Sequence, residues 1–166
     1  MLSYPPRELW PGKVYSLPEL SYPETLNACH ELLDRNLERG RGSFPAIYFG
    51  NSVVTYRELQ QDVMEVAGAL HRHGVEPGDR VILRLLNRPH FISTFLALLR
   101  LGAVAVPTPP LIRAREISAI IESSQPRLVV SEPDLWEELE KVPQPDRGGV
   151  PYMKVESLRG SAPYRE

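Results

Sequence analysis

Three uninterrupted apolar segments at regular intervals constrain the fold of this chain more than any other feature. They lie near Val81, Val104 and Val129, so successive segments are 23 and 25 residues apart. Unbroken apolar runs are typical of strands that are buried on both faces. A helix is predicted between each pair, and this alternation favours right-handed crossovers in a parallel sheet. The predicted fold class is therefore α/β: a doubly wound, mostly parallel sheet with helices on both faces.

The segments around these strands carry clear signals for helices and turns. Thr55 and Glu58 form a capping box at the start of one helix. Pro89 is placed well for the first residue of another. The apolar spacing predicts helices over about 25–39, from Thr55 to Gly74, from Pro89 to Gly102, over 114–124 and over 135–140. Further strands are predicted at 46–49, 53–54 and 153–155.

Proline is concentrated at the N-terminus. The chain has 17 prolines in 166 residues, and five of them precede residue 25. Because proline fixes φ and lacks a backbone donor, residues 1–24 are predicted to form an extended arm. The arm is expected to lie on a surface, because it is richer in apolar residues than a solvated tail: Trp10, Tyr15, Leu17, Leu20 and Tyr22. The predicted division is an arm over 1–24 and an α/β subdomain over 25–166.

Charge and composition exclude several classes of function. The formal net charge is −2, which gives no electrostatic case for binding nucleic acid or an anionic membrane. No apolar run approaches the roughly 20 residues that span a bilayer. The first residues do not resemble a signal peptide, and Cys29 is the only cysteine. We therefore expect a cytoplasmic protein.

Most residue types that support catalysis are better explained here as structural or surface residues. The sequence contains no G-x-x-x-x-G-K-[ST] phosphate loop. His71 and His73 are two apart at a helix end and point in different directions. His30 and His90 have no visible partner in the sequence. The sequence shows no candidate general base for Cys29, which favours a buried structural thiol over a nucleophile.

Two arginines are the strongest candidates for a binding site. Arg113 and Arg115 follow the segment 107–112, beyond the carboxyl end of a predicted strand and at the start of a helix. Ligands of open α/β sheets collect at that edge, and helix N-termini favour anions. The alternative is that both arginines are solvated or pair with Glu116. The sequence alone leaves both alternatives open.

Four consecutive segments resemble the N-terminal region of the adenylate-forming acyl- and aryl-CoA synthetases. They are 54–59 (VTYREL), 74–81 (GVEPGDRV), 87–107 (from NRP to the run FLALLRLGAVAVP) and 126–130 (PRLVV). Their order and spacing match the first core motifs of that superfamily over roughly residues 25–140. Within it, 6–11, 17–20 and 110–116 look most like the benzoate and 2-aminobenzoate CoA ligases.

The resemblance implies a parent enzyme that uses ATP, Mg²⁺ and CoA. Such enzymes join a carboxylic acid, aromatic or fatty, to AMP and then transfer the acyl group to CoA. The family's phosphate loop and later catalytic motifs are not present, since the chain ends at Glu166. The chain is therefore expected to be an inactive N-terminal fragment that binds no cofactor tightly and has no catalytic or metal-binding residue. Arg113 and Arg115 are the candidates for contacting CoA phosphates, because that region of some family members lies near CoA.

Two other interpretations compete with a ligase fragment. The first is a non-catalytic α/β binding or scaffolding module derived from such an enzyme. The second is an unrelated doubly wound domain such as a phospho-receiver, which needs acidic residues at strand ends. Leu85, Pro107 and Ser131 lie near those ends and argue against it. A fragment would associate with the remainder of its ligase chain. In isolation we expect self-association through an unpaired sheet edge, and a monodisperse monomer in light scattering would contradict that.

Overall fold

A computed structural model describes residues 6–12, 14–18, 21–143 and 149–158. Residues 1–5, Leu20 and the segment 159–166 lie outside this part, so the predictions that involve them are not addressed. The strands are β1 (Pro45–Phe49), β2 (Ser52–Thr55), β3 (Arg80–Arg84), β4 (Val104–Pro107), β5 (Leu128–Ser131) and β6 (Tyr152–Lys154). The α-helices are α1 (Arg35–Glu38), α2 (Tyr56–Arg72), α3 (Pro89–Arg100), α4 (Ala114–Ser124) and α5 (Trp136–Glu140).

The principal sheet has four parallel strands in the order β4-β3-β5-β6. The chain moves outward from β3 to β4, and then crosses back past β3 to β5 and on to β6. This reversal of direction is the topological switch point of a doubly wound sheet. It lies between β3 and β5, where Arg84 is in register with Ser131.

Apolar cores on the two faces of this sheet confirm the predicted layering. On one face, α2 and α3 pack against alternate strand residues, including Val81 and Leu83. On the other face, α4 and α5 pack against Ile82 and Val129. The fold is therefore a mixed α/β arrangement with helices on both sides of a parallel sheet, as the strand spacing predicted.

The local helix signals are also confirmed, with one shift at the first helix. Thr55 accepts a hydrogen bond from the Glu58 amide, and the Glu58 carboxylate accepts one from the Thr55 amide. Hydrogen bonds from the Thr55 amide and from the Thr55 hydroxyl to this carboxylate lower the pKa of Glu58 below its ordinary value. The first helix begins after Asn27 rather than near Thr25, because the Asn27 side chain accepts hydrogen bonds from the next helical amides. It starts as a π-helical turn, His30–Asp34, and continues into α1.

The hairpin of β1 and β2 forms a separate two-stranded antiparallel sheet. Phe44, Tyr48, Phe49 and Val53 of this hairpin region are exposed. In the described part of the arm, Trp10, Tyr15, Leu17 and Tyr22 are also exposed, and Arg7–Leu9 forms a 3₁₀ turn. Self-association of the isolated chain stays a prediction that these exposed apolar residues motivate.

Candidate functional site

The carboxyl edge of the sheet at the switch point carries two charged clusters, one on each face. Open α/β sheets bind their ligands in the crevice at this position. We name the clusters by their central residues. The Arg84 cluster lies on the side of α4 and α5, and the Glu132 cluster lies on the side of α3.

Arg84 is the last residue of β3 and is almost completely buried, with 1% of its surface exposed. Its Nη2 donates hydrogen bonds to the carbonyl oxygens of Pro110 at 3.1 Å and Ile112 at 3.0 Å. Its Nε donates to the carbonyl oxygen of Leu135 at 3.3 Å. Nη1 is buried and has no acceptor within the described part of the chain. Burial lowers the pKa of Arg84, and the charge of Glu138 partly offsets this effect.

A cleft of about 210 Å³ opens above Arg84. One wall is the loop 110–113, and the other comprises residues 134, 135, 137 and 138. Arg113 crosses from one wall to the other, with Nη1 3.2 Å from Glu138 Oε1. The cleft therefore combines a buried cation at its base with an arginine–glutamate pair at its rim.

Glu138 is the electrostatic centre of the rim. Its carboxylate accepts hydrogen bonds from Lys141 Nζ at 2.9 Å, Arg113 Nη1 at 3.2 Å and the Ala114 amide at 3.1 Å. These contacts, with Lys141 contributing most, lower the pKa of Glu138 to about 2. Glu138 is thus an anion throughout the neutral range and fixes the start of α4.

The two predicted binding residues have different surroundings. The Arg113 side chain is 77% exposed and pairs with Glu138, while the Arg113 amide donates to Glu116 Oε2 at 3.0 Å. The predicted contact with Glu116 is therefore made by the main chain of Arg113 and not by its guanidinium group. Arg115 lies one residue into α4 and is exposed. Arg113 lines the cleft, whereas Arg115 is exposed to solvent but is not among the residues that line it.

Glu132 directly follows β5 and is the centre of the second cluster. It is 1% exposed, and its carboxylate accepts hydrogen bonds from the Leu86 amide at 3.0 Å and from Arg88 Nη1 at 2.8 Å. The Nε2 atom of His90 lies 2.7 Å from the same carboxylate. The cluster lines a groove of about 280 Å³ together with Asp134 and Glu156. It ties the loop after β3 to the end of β5.

The sequence analysis missed this cluster. No partner of His90 was visible in the sequence, and in the structure it pairs with Glu132, 42 residues away along the chain. One feature of the sequence could have indicated the cluster, since Glu132 is an acidic residue at the end of a strand predicted to be buried. Arg84 offered a similar signal, since it interrupts the apolar run of β3.

The prediction for Cys29 agrees with the structure, whereas His30 has partners that the sequence did not reveal: its ring nitrogens lie 3.6 Å from Asp34 Oδ2 and 3.7 Å from Glu38 Oε1. Cys29 is fully buried, as expected of a structural thiol. His73 hydrogen-bonds through Nδ1 to the Ala69 carbonyl oxygen at the end of α2. Within the described ranges, no group of three or more His, Cys, Asp or Glu side chains is placed to hold a metal ion. No helix in these ranges is long and apolar enough to cross a membrane.

Charged clefts at the switch point of a doubly wound sheet are typical of ligand-binding α/β domains. Comparison with known proteins identifies the family of this chain. Residues 33–161 match the family model described as AMP-binding enzyme. The chain belongs to this family of adenylate-forming enzymes.

Two of the similar proteins are a CoA ligase and an acyl-CoA synthetase by name. The chain is 33% identical over 111 residues to a 3-hydroxybenzoate/4-hydroxybenzoate–CoA ligase of Thauera aromatica. The aligned segment covers 67% of this chain and 21% of the relative. It is 32% identical over 112 residues to the mitochondrial acyl-CoA synthetase short-chain family member 3 of Bos taurus, and that alignment covers 64% of this chain and 16% of the relative. The chain thus spans about a fifth of the length of these relatives.

Solved structures confirm the fold. The chain superposes on a benzoate CoA ligase from Burkholderia xenovorans LB400 with a TM-score of 0.75 and 21% identity, covering 86% of this chain and 30% of that one. It superposes on the anthranilate CoA ligase AuaEII, solved in complex with anthranoyl-AMP, with a TM-score of 0.73 and 22% identity, covering 83% and 28%. The architecture is that of the N-terminal subdomain of adenylate-forming enzymes.

Proposed function

We propose that this chain is the N-terminal part of an ATP-dependent acid–CoA ligase. The reaction of the whole ligase converts a carboxylic acid, ATP and CoA into acyl-CoA, AMP and pyrophosphate through an acyl-adenylate. The observation that carries the proposal is the match of residues 33–161 to the AMP-binding enzyme family, combined with relatives that are CoA ligases.

Aromatic acids are the proposed substrate class. Support comes from the hydroxybenzoate–CoA ligase among the relatives, at 33% identity. The segments 6–11, 17–20 and 110–116, which resemble benzoate and 2-aminobenzoate CoA ligases, support the same class. Short fatty acids are the competing class, since an acyl-CoA synthetase of the short-chain family is matched at 32% identity.

The Arg84 cluster is the part of this chain that we assign to CoA. Arg113 and Arg115 are exposed cations at the carboxyl edge of the sheet, where a phosphate is reachable from solvent. The buried Nη1 donors of Arg84 also need an acceptor oxygen. Glu138 partly neutralises this positive charge, so Arg113 would have to exchange its carboxylate partner for a phosphate.

We assign ATP and Mg²⁺ to the rest of the ligase chain. The sequence lacks a phosphate-binding loop, and the described residues offer no cluster for a metal ion. The 166-residue chain alone is therefore expected to be catalytically inactive and to bind neither ATP nor CoA tightly. Its partner is the remainder of the ligase, and we propose the cytoplasm as its location.

An assay of pyrophosphate exchange into ATP tests this proposal. The longest protein encoded by the reading frame that contains this chain would be purified beside the 166-residue chain. Each would be offered benzoate, 2-aminobenzoate, hydroxybenzoates and short fatty acids. We expect acid-dependent exchange with the long protein, greatest with an aromatic acid, and none with the short chain.

Two outcomes would contradict parts of the proposal. Exchange by the 166-residue chain would show that it carries its own adenylation site. Absence of exchange with every acid, from a long protein that is folded, would favour a non-catalytic binding or scaffolding module derived from a ligase.

A further inference from the structure

Arg84 occupies a position that the fold does not require to be charged. The three residues before it in β3, 81–83, are apolar and fully or almost fully buried. A buried guanidinium costs desolvation free energy, and a set of buried ionic groups can often be replaced together by apolar residues without loss of stability. Core packing therefore does not explain why position 84 carries a charged residue.

The hydrogen bonds of Arg84 connect two segments that are not otherwise part of the sheet. Nη2 binds the carbonyl oxygens of Pro110 and Ile112, which belong to one wall of the cleft. Nε binds the carbonyl oxygen of Leu135, which belongs to the other wall. Because the guanidinium group is planar and its donors form a rigid fork, it fixes the distance between the walls.

The wall positions determine where the candidate CoA-binding arginine lies. Ile112 directly precedes Arg113, so the bond to the Ile112 carbonyl oxygen orients the peptide from which Arg113 projects. Leu135 precedes α5, which carries the partner of Arg113, Glu138. Arg84 thus orients both sides of the Arg113–Glu138 contact through the main chain. The hydrogen bonds described for Arg84 go to main-chain carbonyl oxygens and not to the side chain of either residue.

We infer that Arg84 is a positioning residue that holds the two walls of the cleft at the spacing at which a CoA phosphate meets Arg113 at the rim. The identity of the ligand rests on the proposed function, whereas the positioning of the walls does not. The two parts are therefore tested separately.

Hydrogen exchange measured by mass spectrometry tests the positioning. The variants are Arg84→Met and Arg84→Lys. The matched control is Arg80→Met, because Arg80 is at the other end of β3 and donates to the main-chain carbonyls of Ser124 and Gln125. In Arg84→Met we expect amides in 111–113 and 135–138 to exchange roughly tenfold faster, while α2 keeps its protection.

The remaining variants make the result specific. Arg80→Met should accelerate exchange near 124–127 and leave 111–113 unchanged. Arg84→Lys should give an intermediate effect, because an ammonium group lacks the fork that spans both walls. If Arg84→Met loses protection in α2 as well, the variant has unfolded. In that case the exchange of the amides in 111–113 and 135–138 of Arg84→Lys tests the inference. Unchanged exchange in both walls of the folded variant, or an equal effect from Arg80→Met, would overturn the inference.

Kinetics of the long ligase test the link to CoA. We expect Arg84→Met to raise the KM for CoA by about tenfold, with kcat and the KM for ATP changed less than about twofold and with partial recovery in Arg84→Lys. An equal loss across all three parameters would refute the specific role in CoA positioning. If the wild-type protein has no CoA-dependent activity, the proposed function fails, but the exchange result still decides whether Arg84 positions the walls.

Discussion

The two edges of the parallel sheet are held together in different ways. At the amino edge, main-chain hydrogen bonds connect the turns directly, for example from the Gly78 amide to the Gly102 carbonyl oxygen at 2.9 Å. Gly74, Gly78 and Gly102 all have positive φ there, which allows these tight turns. Charged side chains reach the main chain at both edges, but they differ in burial. At the amino edge, Arg80 is half-buried and Arg127 is exposed. At the carboxyl edge, Arg84 and Glu132 are almost completely buried.

The carboxyl edge is the open edge in the sense that the two clefts described above lie there. Main-chain bonds draw the loops of the amino edge tightly against each other. The long side chains at the carboxyl edge bridge the loops by hydrogen bonds, and the two described clefts lie between these loops. The open edge depends on a few buried charges and should be the more sensitive of the two to single substitutions.

The largest expected effect is at the Glu132 cluster. Glu132→Ala leaves the Leu86 amide, Arg88 and His90 without their shared acceptor. Breaking a buried ionic contact of this kind costs about 3 kcal/mol. Urea denaturation should show that loss in the free energy of unfolding, whereas Glu122→Ala on the exposed face of α4 should change it by no more than about 0.5 kcal/mol. A loss below about 1 kcal/mol would contradict a central role for Glu132.

A smaller loss of stability is expected from a substitution that strains the Gly102 turn at the amino edge. Gly102 has φ of +69°, and a Cβ atom there would lie 3.4 Å from the Pro77 Cβ. Gly102→Ala should lower the free energy of unfolding by about 1–2 kcal/mol, the cost of a left-handed conformation for an L-residue. Gly12→Ala is the control, since nothing lies within 4 Å of its Cβ position. Equal unfolding free energies for the two variants would contradict the strained turn.

The pH dependence of stability should differ between the edges because of Glu138. Its pKa is about 2 in the folded protein and close to 4.5 when unfolded. The unfolded state therefore takes up protons first, and the stabilisation is present above pH 4.5 and lost as the pH falls towards 2. Glu138→Gln should be less stable than the wild type at pH 7, and the difference should shrink over that range. A constant difference, measured by urea denaturation at several pH values, would count against this assignment.

The smallest effect is expected at the rim of the cleft. Arg113 is exposed, so Arg113→Ala removes a contact with Glu138 worth about 0.5 kcal/mol. Arg115→Ala, at an exposed site, should be indistinguishable from the wild type in thermal unfolding. Both substitutions should nevertheless weaken CoA use by the long ligase if the proposed phosphate contacts exist. Thermal shifts of several degrees for Arg115→Ala would instead indicate a structural role.

The sequence by itself determined the local elements and the layered fold class. The apolar runs at Val81 and Leu128 form the buried strands β3 and β5, and the Thr55–Glu58 capping box starts α2 as predicted. The run at Val104 forms a strand as predicted, but β4 is an edge strand with exposed and half-buried residues, so the expected burial on both faces was wrong there. These features depend on interactions between residues close together in the chain or on side-chain periodicity, which a sequence displays directly. The resemblance of residues 25–140 to adenylate-forming enzymes agrees with the family match over 33–161.

Only the tertiary structure decided which charges meet at the carboxyl edge. His90 and Glu132 are far apart in the chain, and they come together because β5 crosses back to lie beside β3. The acceptors of Arg84 are main-chain carbonyl oxygens, 26 to 51 residues away, and every residue type carries such an oxygen. No side-chain pattern marks these partners, so the strand order had to be known before the cleft and its positioning residue became visible.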